Sequence, residues 1–328
     1  MIDRLALAVL MAVSVPSTRA AFAAVAPSAE AFFAEKRYQE VVTLLSPGES
    51  KADGPTLLLL GRAHLALDQA ERAAAVLEKA VEAMPSSAEA HFFLGSAYGD
   101  IASSGGMLKG MRYAGKVKSE FEAAAGLDPR DTRSRQGLVS YHLMAPGIAG
   151  GDKKEAERLA QEIRAIDPVA GLQSLARVAR ATDRPSEAIA FLEEARAAVP
   201  EGATTSAGAP LQSAVTGDLL AALTDLGQVD RAAALAKELS AAGDAALLYA
   251  LGRFAAVTGR DLERGERSLV EFMTLLTSAQ KQEAAAAHWR LGMIRQHQGR
   301  TPDARQEYQT ALKLNPEFKQ AKEALAKL

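Results

Sequence analysis

Between Pro55 and Tyr98 the chain reads PTLLLLGRAHLALDQAERAAAVLEKAVEAMPSSAEAHFFLGSAY, and its apolar positions keep a helical period in two blocks around a short polar turn. The first block carries Leu60-Gly61, and the second carries Ala73, Leu77 and Ala80 before stopping at Pro85. The pair then returns as Leu94-Gly95, 34 residues on, with Tyr98 one turn later. A fixed period of this length predicts stacked helix pairs, none of which buries its apolar face alone. Each residue type has a physical role in such a pair. Gly61 and Gly95 let two helix backbones approach closely, Ala73 and Ala80 fill the same seam from the second helix, and Pro85 cannot continue the helix.

The same pattern, more or less degraded, runs through the rest of the chain. Residues 28–45 predict a first, degenerate pair: Phe32 and Phe33 inward on one helix, a turn at Lys36-Arg37, then Tyr38, Val41, Val42 and Leu45, stopped by Ser46-Pro47-Gly48. After Tyr98 the next large apolar residue of a second helix is Phe121, 23 residues on where the regular unit has 13, so about ten residues are inserted. Gly105-Gly106 in that insert predicts a loop or a broken helix. The following unit, with Leu138 and then Ala156, Ala160, Ile163 and Pro168, carries about five extra residues in its turn. There Ala145-Pro146-Gly147 ends one helix and Asp152 is the expected N-cap of the next. Regular spacing resumes at Leu175, Ala179, Ala188, Leu192, Ala195 and Pro200. It continues at Leu219 and Leu223 with Ala232, Ala236 and Leu239, at Leu251-Gly252 with Leu269 and Phe272, and at Leu291-Gly292 with Ala304, Tyr308, Ala311 and Pro316. Phe318 to Leu328 reads as a terminal amphipathic cap with Lys319, Lys322 and Lys327 outward.

On these residues the chain resembles the tetratricopeptide repeat (TPR) family over roughly residues 28–328, most specifically in the units beginning at 54, 88 and 285. The resemblance implies an all-α fold, a right-handed superhelical solenoid of about eight helix pairs. The middle pair, YAGKVKSEFEAAAGLDPRD followed by GLVSYHLMAPGIAGGDKKEAERLAQEIRAIDP, resembles exported bacterial members of the family. Through its Ala-Pro-Gly…Gly-Gly-Asp turn it is also similar to the helical accessory component of tripartite periplasmic (TRAP) transporters. The expected organisation is a signal peptide over 1–23 and a repeat array over 28–200 with inserts near 99–116 and 145–152. A flexible linker over 201–212 and a second array with its capping helix over 213–328 follow.

Composition adds a compartment and removes several function classes. Apolar residues make up 48% and aromatics only 5%, so the core is built from Ala and Leu, which suits close-packed helices better than a sheet. Lys and Arg total 38 against 40 Asp and Glu, a balance that offers no global field to nucleic acid or an anionic membrane. Arg4, the apolar run Leu5–Val15 and Ala21-Phe22-Ala23 read as a secretory signal cleaved near Ala23. Cleavage removes Asp3, Arg4 and Arg19 and leaves 36 basic and 39 acidic residues. With no cysteine there is neither a lipid-attachment site nor a disulfide, so the expected location is the periplasm, or secretion.

No catalytic constellation emerges. Gly110–Lys116, GMRYAGK, fits a phosphate loop but is followed by Val117 instead of Ser or Thr and has no preceding strand. Lys109, Arg112, Lys116 and Lys118 read as a solvated basic loop, with binding of an anionic group as the alternative. His64, His91, His142, His288 and His297 lack metal-ligand spacing, and no Ser sits in a nucleophile elbow. Glu193 and Glu194 diverge by about 100° on a helix and cannot act on one bond. The expectation is a non-enzyme without cofactor or metal. In the TPR family the first helix of each pair lines a concave groove, and carrying those positions over gives Leu58 and Arg62; Phe92 and Ser96; and Gln136 and Ser140. Later units contribute Gln173, Arg177 and Arg180; Tyr249 and Arg253; and Trp289, Met293 and Gln296. The Lys and Asn pair with which family members clamp a C-terminal carboxylate is missing, whereas arginines and aromatics on one wall suit an acidic or extended peptide or protein partner. Asp183 and Glu187 are the nearby acids expected to answer those arginines internally. Two functions stand open: a scaffold holding a peptide or protein in its groove, and a small-ligand-binding accessory of a periplasmic transport system.

Overall fold

The computed structural model describes residues 29–104, 106–205, 210–239, 244–276 and 280–328. The signal-peptide reading, Gly105 and the middle of the 201–212 linker lie outside the described residues. Every regular element among those residues is helical, with one isolated bridge between Thr204 and Pro210. The fold is therefore all-α. None of the described helices is long and apolar enough to cross a membrane. The chain divides into two compact units, Met1–Pro85 and Ser86–Leu328.

The first unit contains α1 (29–34), α2 (Tyr38–Leu45), α3 (Gly54–Ala66) and α4 (Ala70–Ala83). Asp53 starts α3 by accepting from the Thr56 amide at 3.1 Å, with Pro55 in the first turn where its missing N–H costs nothing. The seam between α3 and α4 closes on Gly61, where an added Cβ would stand 2.4 Å from Leu77 Cγ. Phe33 is half-buried and stacks edge-on against Tyr38 at 5.1 Å, while Arg37 covers Phe32.

The second unit begins with α5 (Ala88–Ser104), α6 (Gly106–Leu127), α7 (Thr132–Met144) and α8 (Lys153–Ile166). It continues through α9 (Pro168–Ala181), α10 (Pro185–Ala198), α11 (Leu211–Asp225), α12 (Val229–Glu238) and α13 (Ala245–Thr258). The last elements are α14 (Leu262–Leu275), α15 (Lys281–His297), α16 (Thr301–Leu314) and α17 (Lys319–Ala326). Helices pair in sequence order, and α5 with α7, α7 with α9, α11 with α13 and α13 with α15 pack against each other as well. A large apolar side chain of the second helix fills the notch left by a glycine of the first. Phe121 meets Gly95, Leu269 meets Gly252, and Tyr308 meets Gly292. Tyr308 is fully buried there, which pushes its phenol up to about 12. The core linking α9 through α13 includes Leu192, Leu219, Leu223, Leu235, Leu251 and Phe254. On α17, Ala321 is buried while Lys319 and Lys322 face water, as a terminal cap requires.

The two inserts take different forms. The first is not a loop: it lengthens the helices, so α5 has 17 residues and α6 has 22 where α7 has 13. The break falls between Ser104 and Gly106, the latter at φ +71. Gly110 and Gly115 stay helical because the extended α5–α6 packing outweighs the roughly 1 kcal/mol that each glycine costs a helix interior. The second insert is a tight turn. α7 stops at Met144, a short 3-10 turn covers Gly147–Ala149, and Gly150 takes φ +87. Asp152 then caps α8 by accepting from the Lys154 and Glu155 amides at 2.8 and 3.4 Å, as its position predicts. Tyr141 Oη donates to the Ala149 carbonyl and ties the turn to α7, and the turn itself packs on α6.

Candidate functional site

Helix α9 presents Gln173, Ala176, Arg177 and Arg180 along one face because residues three, four and seven apart stack on a helix surface. Packing places α7 on one side of α9 and α11 beyond α10, and between them lies a polar cavity of about 420 Å³. Gln136 of α7, Leu192 of α10 and Asp218 of α11 complete its lining. Four of the groove positions expected from the repeat pattern, Gln136, Gln173, Arg177 and Arg180, thus converge on one cavity.

The arginines differ in what holds them. Arg180 Nη2 pairs with Asp225 Oδ2 at 2.8 Å, and Arg253 of α13 pairs with the other oxygen of the same carboxylate. Arg177 donates only to hydroxyls, Nη1 to Ser140 Oγ at 3.3 Å and Nη2 to Ser174 Oγ at 3.4 Å. Among the described residues no carboxylate lies within ion-pair distance of it. Arg177 is exposed to water yet sits in a concavity with dense protein around it. That crowding lowers its pKa, and the charge of Asp218 opposes the shift. Asp218 is in the same position with the opposite sign. The surrounding protein raises its carboxyl above the usual range, while a 2.9 Å hydrogen bond from Gln173 Nε2 and the charges of Arg177 and Arg180 pull it back. Because both groups remain reachable by water, these are biases on a wet cavity wall and not the cost of a buried charge.

The acids that answer the arginines are therefore Asp218 and Asp225 of α11, and not Asp183 and Glu187. Asp183 sits in the turn after α9 at φ +57, and Glu187 pairs with Arg184 at 3.0 Å. Proximity in sequence puts those two past the end of the helix, whereas α11 faces α9 across the cavity. Asp218 and Asp225 are seven residues apart, two turns on one face, and that spacing was the signal that could have found them. A fourth arginine also escapes the repeat-position argument. Arg290 of α15 is half-buried between the rings of Tyr249 and Trp289, 5.0 and 4.8 Å from their centroids, and its Nε has no hydrogen-bond partner. Its burial lowers its pKa. Its place three residues before Met293, on the same face, was the available clue.

The other expected groove residues are engaged in packing. In the first unit Leu58 is buried and Arg62 lies over the Phe33 ring at 4.8 Å. Phe92 lies between Phe121 and Arg133, and Ser96 donates to its carbonyl at 2.9 Å. Tyr249 stacks on Phe272 at 5.0 Å and Trp289 on Phe318 at 5.5 Å. Met293 borders the α13–α15 core, and Gln296 Oε1 accepts from Tyr308 Oη at 2.9 Å.

The remaining motifs resolve into structure. Gly110–Lys116 lies inside α6, where backbone amides serve the helix and none cradles a phosphate. Lys116 covers the rings of Tyr98 and Tyr113, and Lys118 pairs with Glu122 at 3.6 Å. His91 and His288 each face a glutamate at 2.6 Å, His64 meets Gln69, and His297 faces the Ala256 carbonyl. His142 is buried, which lowers its pKa. Among the described residues no three His, Cys, Asp or Glu side chains gather as a metal site. Glu193 and Glu194 point to different partners, Arg231 and Arg164.

A family model described as tetratricopeptide repeat matches residues 58–99, and a second with the same description matches residues 285–318. The chain carries tetratricopeptide repeats. Its TPR fold extends through the solved structures it is similar to. A tetratricopeptide repeat protein from Parabacteroides merdae is 10% identical, with 84% of this chain and 99% of that one covered and a TM-score of 0.58. A human IFIT1 dimer with PPP-AAAA is 13% identical, with 91% and 70% covered and a TM-score of 0.52. No curated protein sequence matches the chain. TPR proteins are generally interaction scaffolds without catalytic activity, and they bind proteins or peptides.

Proposed function

We propose that this TPR protein is a scaffold that holds an extended, acidic peptide segment of a partner protein in the cavity between α7, α9 and α11, with Arg177 as its anchor. One observation carries the reading: Arg177 is a water-accessible guanidinium lining a concave polar cavity, and its hydrogen bonds among the described residues are long ones to Ser140 and Ser174. A carboxylate entering there replaces weak neutral acceptors by charge-assisted, bidentate hydrogen bonds. Gln136 and Gln173 supply amides for the peptide backbone on either side.

Arg177→Ala should weaken binding of acidic peptides selected from a random library by roughly tenfold to a hundredfold, with the circular dichroism spectrum unchanged. Binding to the unaltered protein should fall as salt rises, because the contacts are charged and partly exposed. Wild-type affinity in the alanine variant would remove the anchor and with it this reading.

The periplasmic location is part of the same proposal and is supported by the Leu5–Val15 run and Ala21-Phe22-Ala23. Mass spectrometry of protein from the native cell should find an N-terminus within a few residues of Ala24; recovery of Met1 would overturn it.

A further inference from the structure

Both departures from the repeat pattern contribute to one further cavity. Between α5, α6 and α7 lies a second space of about 420 Å³, lined chiefly by apolar groups. Gly99, Ser103 and Gly110 come to it from the first insert, Ala145 and Pro146 from the second, Met144 from the end of α7, and the Phe121 ring is part of its wall. The glycines and the alanine at 114 keep the space open because they carry little or no side chain into it. Met144, 73% exposed beside this cavity, is a flexible side chain able to close over different apolar shapes.

This cavity adjoins the polar one. Helix α7 gives Gln136 to the polar cavity and Gly137 and Ser140 to the apolar cavity. Ser140 Oγ is also the group that accepts from Arg177 Nη1, so a single serine separates the apolar space from the unpaired guanidinium. Residues 136 and 140 lie about 6 Å apart along α7 at about 1.5 Å per residue, a distance that about two residues of extended peptide cover at about 3.3 Å each, and side-chain reach widens this to one to three.

We infer that the two cavities read one ligand, a peptide carrying a Leu, Ile, Phe or Met side chain one to three residues from an Asp or Glu. The apolar side chain enters the α5–α6–α7 cavity while the carboxylate meets Arg177. The inference rests on the acidic-peptide reading of Arg177 and adds the apolar requirement. The occupant is a peptide and not an isolated apolar group because the adjoining wall presents a cation on one side and two side-chain amides suited to a peptide backbone.

The test pans the full-length chain against a random nonapeptide library and compares it with two single variants. Gly99→Leu projects into the apolar cavity from a position where an added Cβ meets nothing within 4 Å. Ser103→Leu fills the same space from the next turn and serves as the second filling variant. The expected selection from the unaltered protein is an acid with a bulky apolar residue one to three positions away. Either filling variant should erase the apolar preference, keep the acidic one, and weaken a selected synthetic peptide by roughly tenfold to a hundredfold. Arg177→Ala should do the reverse. Acidic peptides selected with no apolar companion, and indifferent to Gly99→Leu and Ser103→Leu, would overturn this inference and leave the acidic-peptide reading standing. Selection of no acidic peptides would overturn both. Sodium dodecanoate binding in calorimetry with losses in both variant types, while no peptide is selected, would replace the peptide with a fatty carboxylate.

Discussion

Gly171→Ala is expected to lower the melting temperature by roughly 5–10 °C, a larger effect than one methyl group usually has in a helix. A Cβ at residue 171 would stand 2.2 Å from Arg164 Cα and 2.3 Å from Arg164 N, which are backbone atoms in the last turn of α8. The two helices cannot slide apart to make room. Asp167 ends α8 and at once caps α9, accepting from the Ala170 amide at 3.0 Å, so no linker absorbs a shift. Gly95→Leu is the contrasting case. Its first contact is the Phe121 ring at 2.9 Å, and a side chain can rotate where a backbone cannot. Differential scanning calorimetry of Gly171→Ala, read beside Gly95→Leu, checks the ordering. An unchanged transition in the residue 171 variant would mean that α8 and α9 do not meet where they are placed here.

Asp225→Asn should tighten binding of acidic peptides by roughly tenfold at low ionic strength and steepen its dependence on salt. Asp225 is the one carboxylate that Arg180 and Arg253 share, and its neutralisation removes the ion-pair partner of both guanidiniums. The same change should lower stability modestly, since the pairs it breaks are partly exposed. Opposite signs for affinity and stability distinguish this outcome from simple loosening of the fold. Isothermal titration at two salt concentrations measures it. Unchanged affinity at low salt would mean that Arg180 and Arg253 do not face the ligand.

How much of this was legible in the sequence depends on whether a residue answers to its own helix or to a neighbour's. Leu60-Gly61, Leu94-Gly95, Leu251-Gly252 and Leu291-Gly292 mark the seams because backbone sterics leave little choice at a close helix crossing. Asp152 was readable for the same local reason, a short acceptor placed just before a helix. Gln136, Gln173, Arg177 and Arg180 came from the groove positions that the family resemblance implies, and the packing of α7 and α9 brings these four to one cavity. Asp218, Asp225 and Arg290 were not readable, since their partners depend on how far the next pair rotates and no single helix records that angle. Gly171 carries no preceding leucine to mark it, although it makes the tightest helix-to-helix backbone approach described above. The first insert was legible in part: its paired glycines mark the break between α5 and α6, whereas the lengthening of both helices depends on their packing against each other.

Phe121 is wedged between Gly95 of α5 and Gly137 of α7, so one ring sets the spacing of two successive first helices while also walling the apolar cavity. A ligand that fills that cavity touches the spacer itself. Occupancy and local opening become thermodynamically linked, and a ligand that binds only when the ring is seated must raise the free energy of unseating it. Amide hydrogens of α5 and α7 would then exchange more slowly in the occupied protein, which turns the rigidity of this corner into a readout of its cargo.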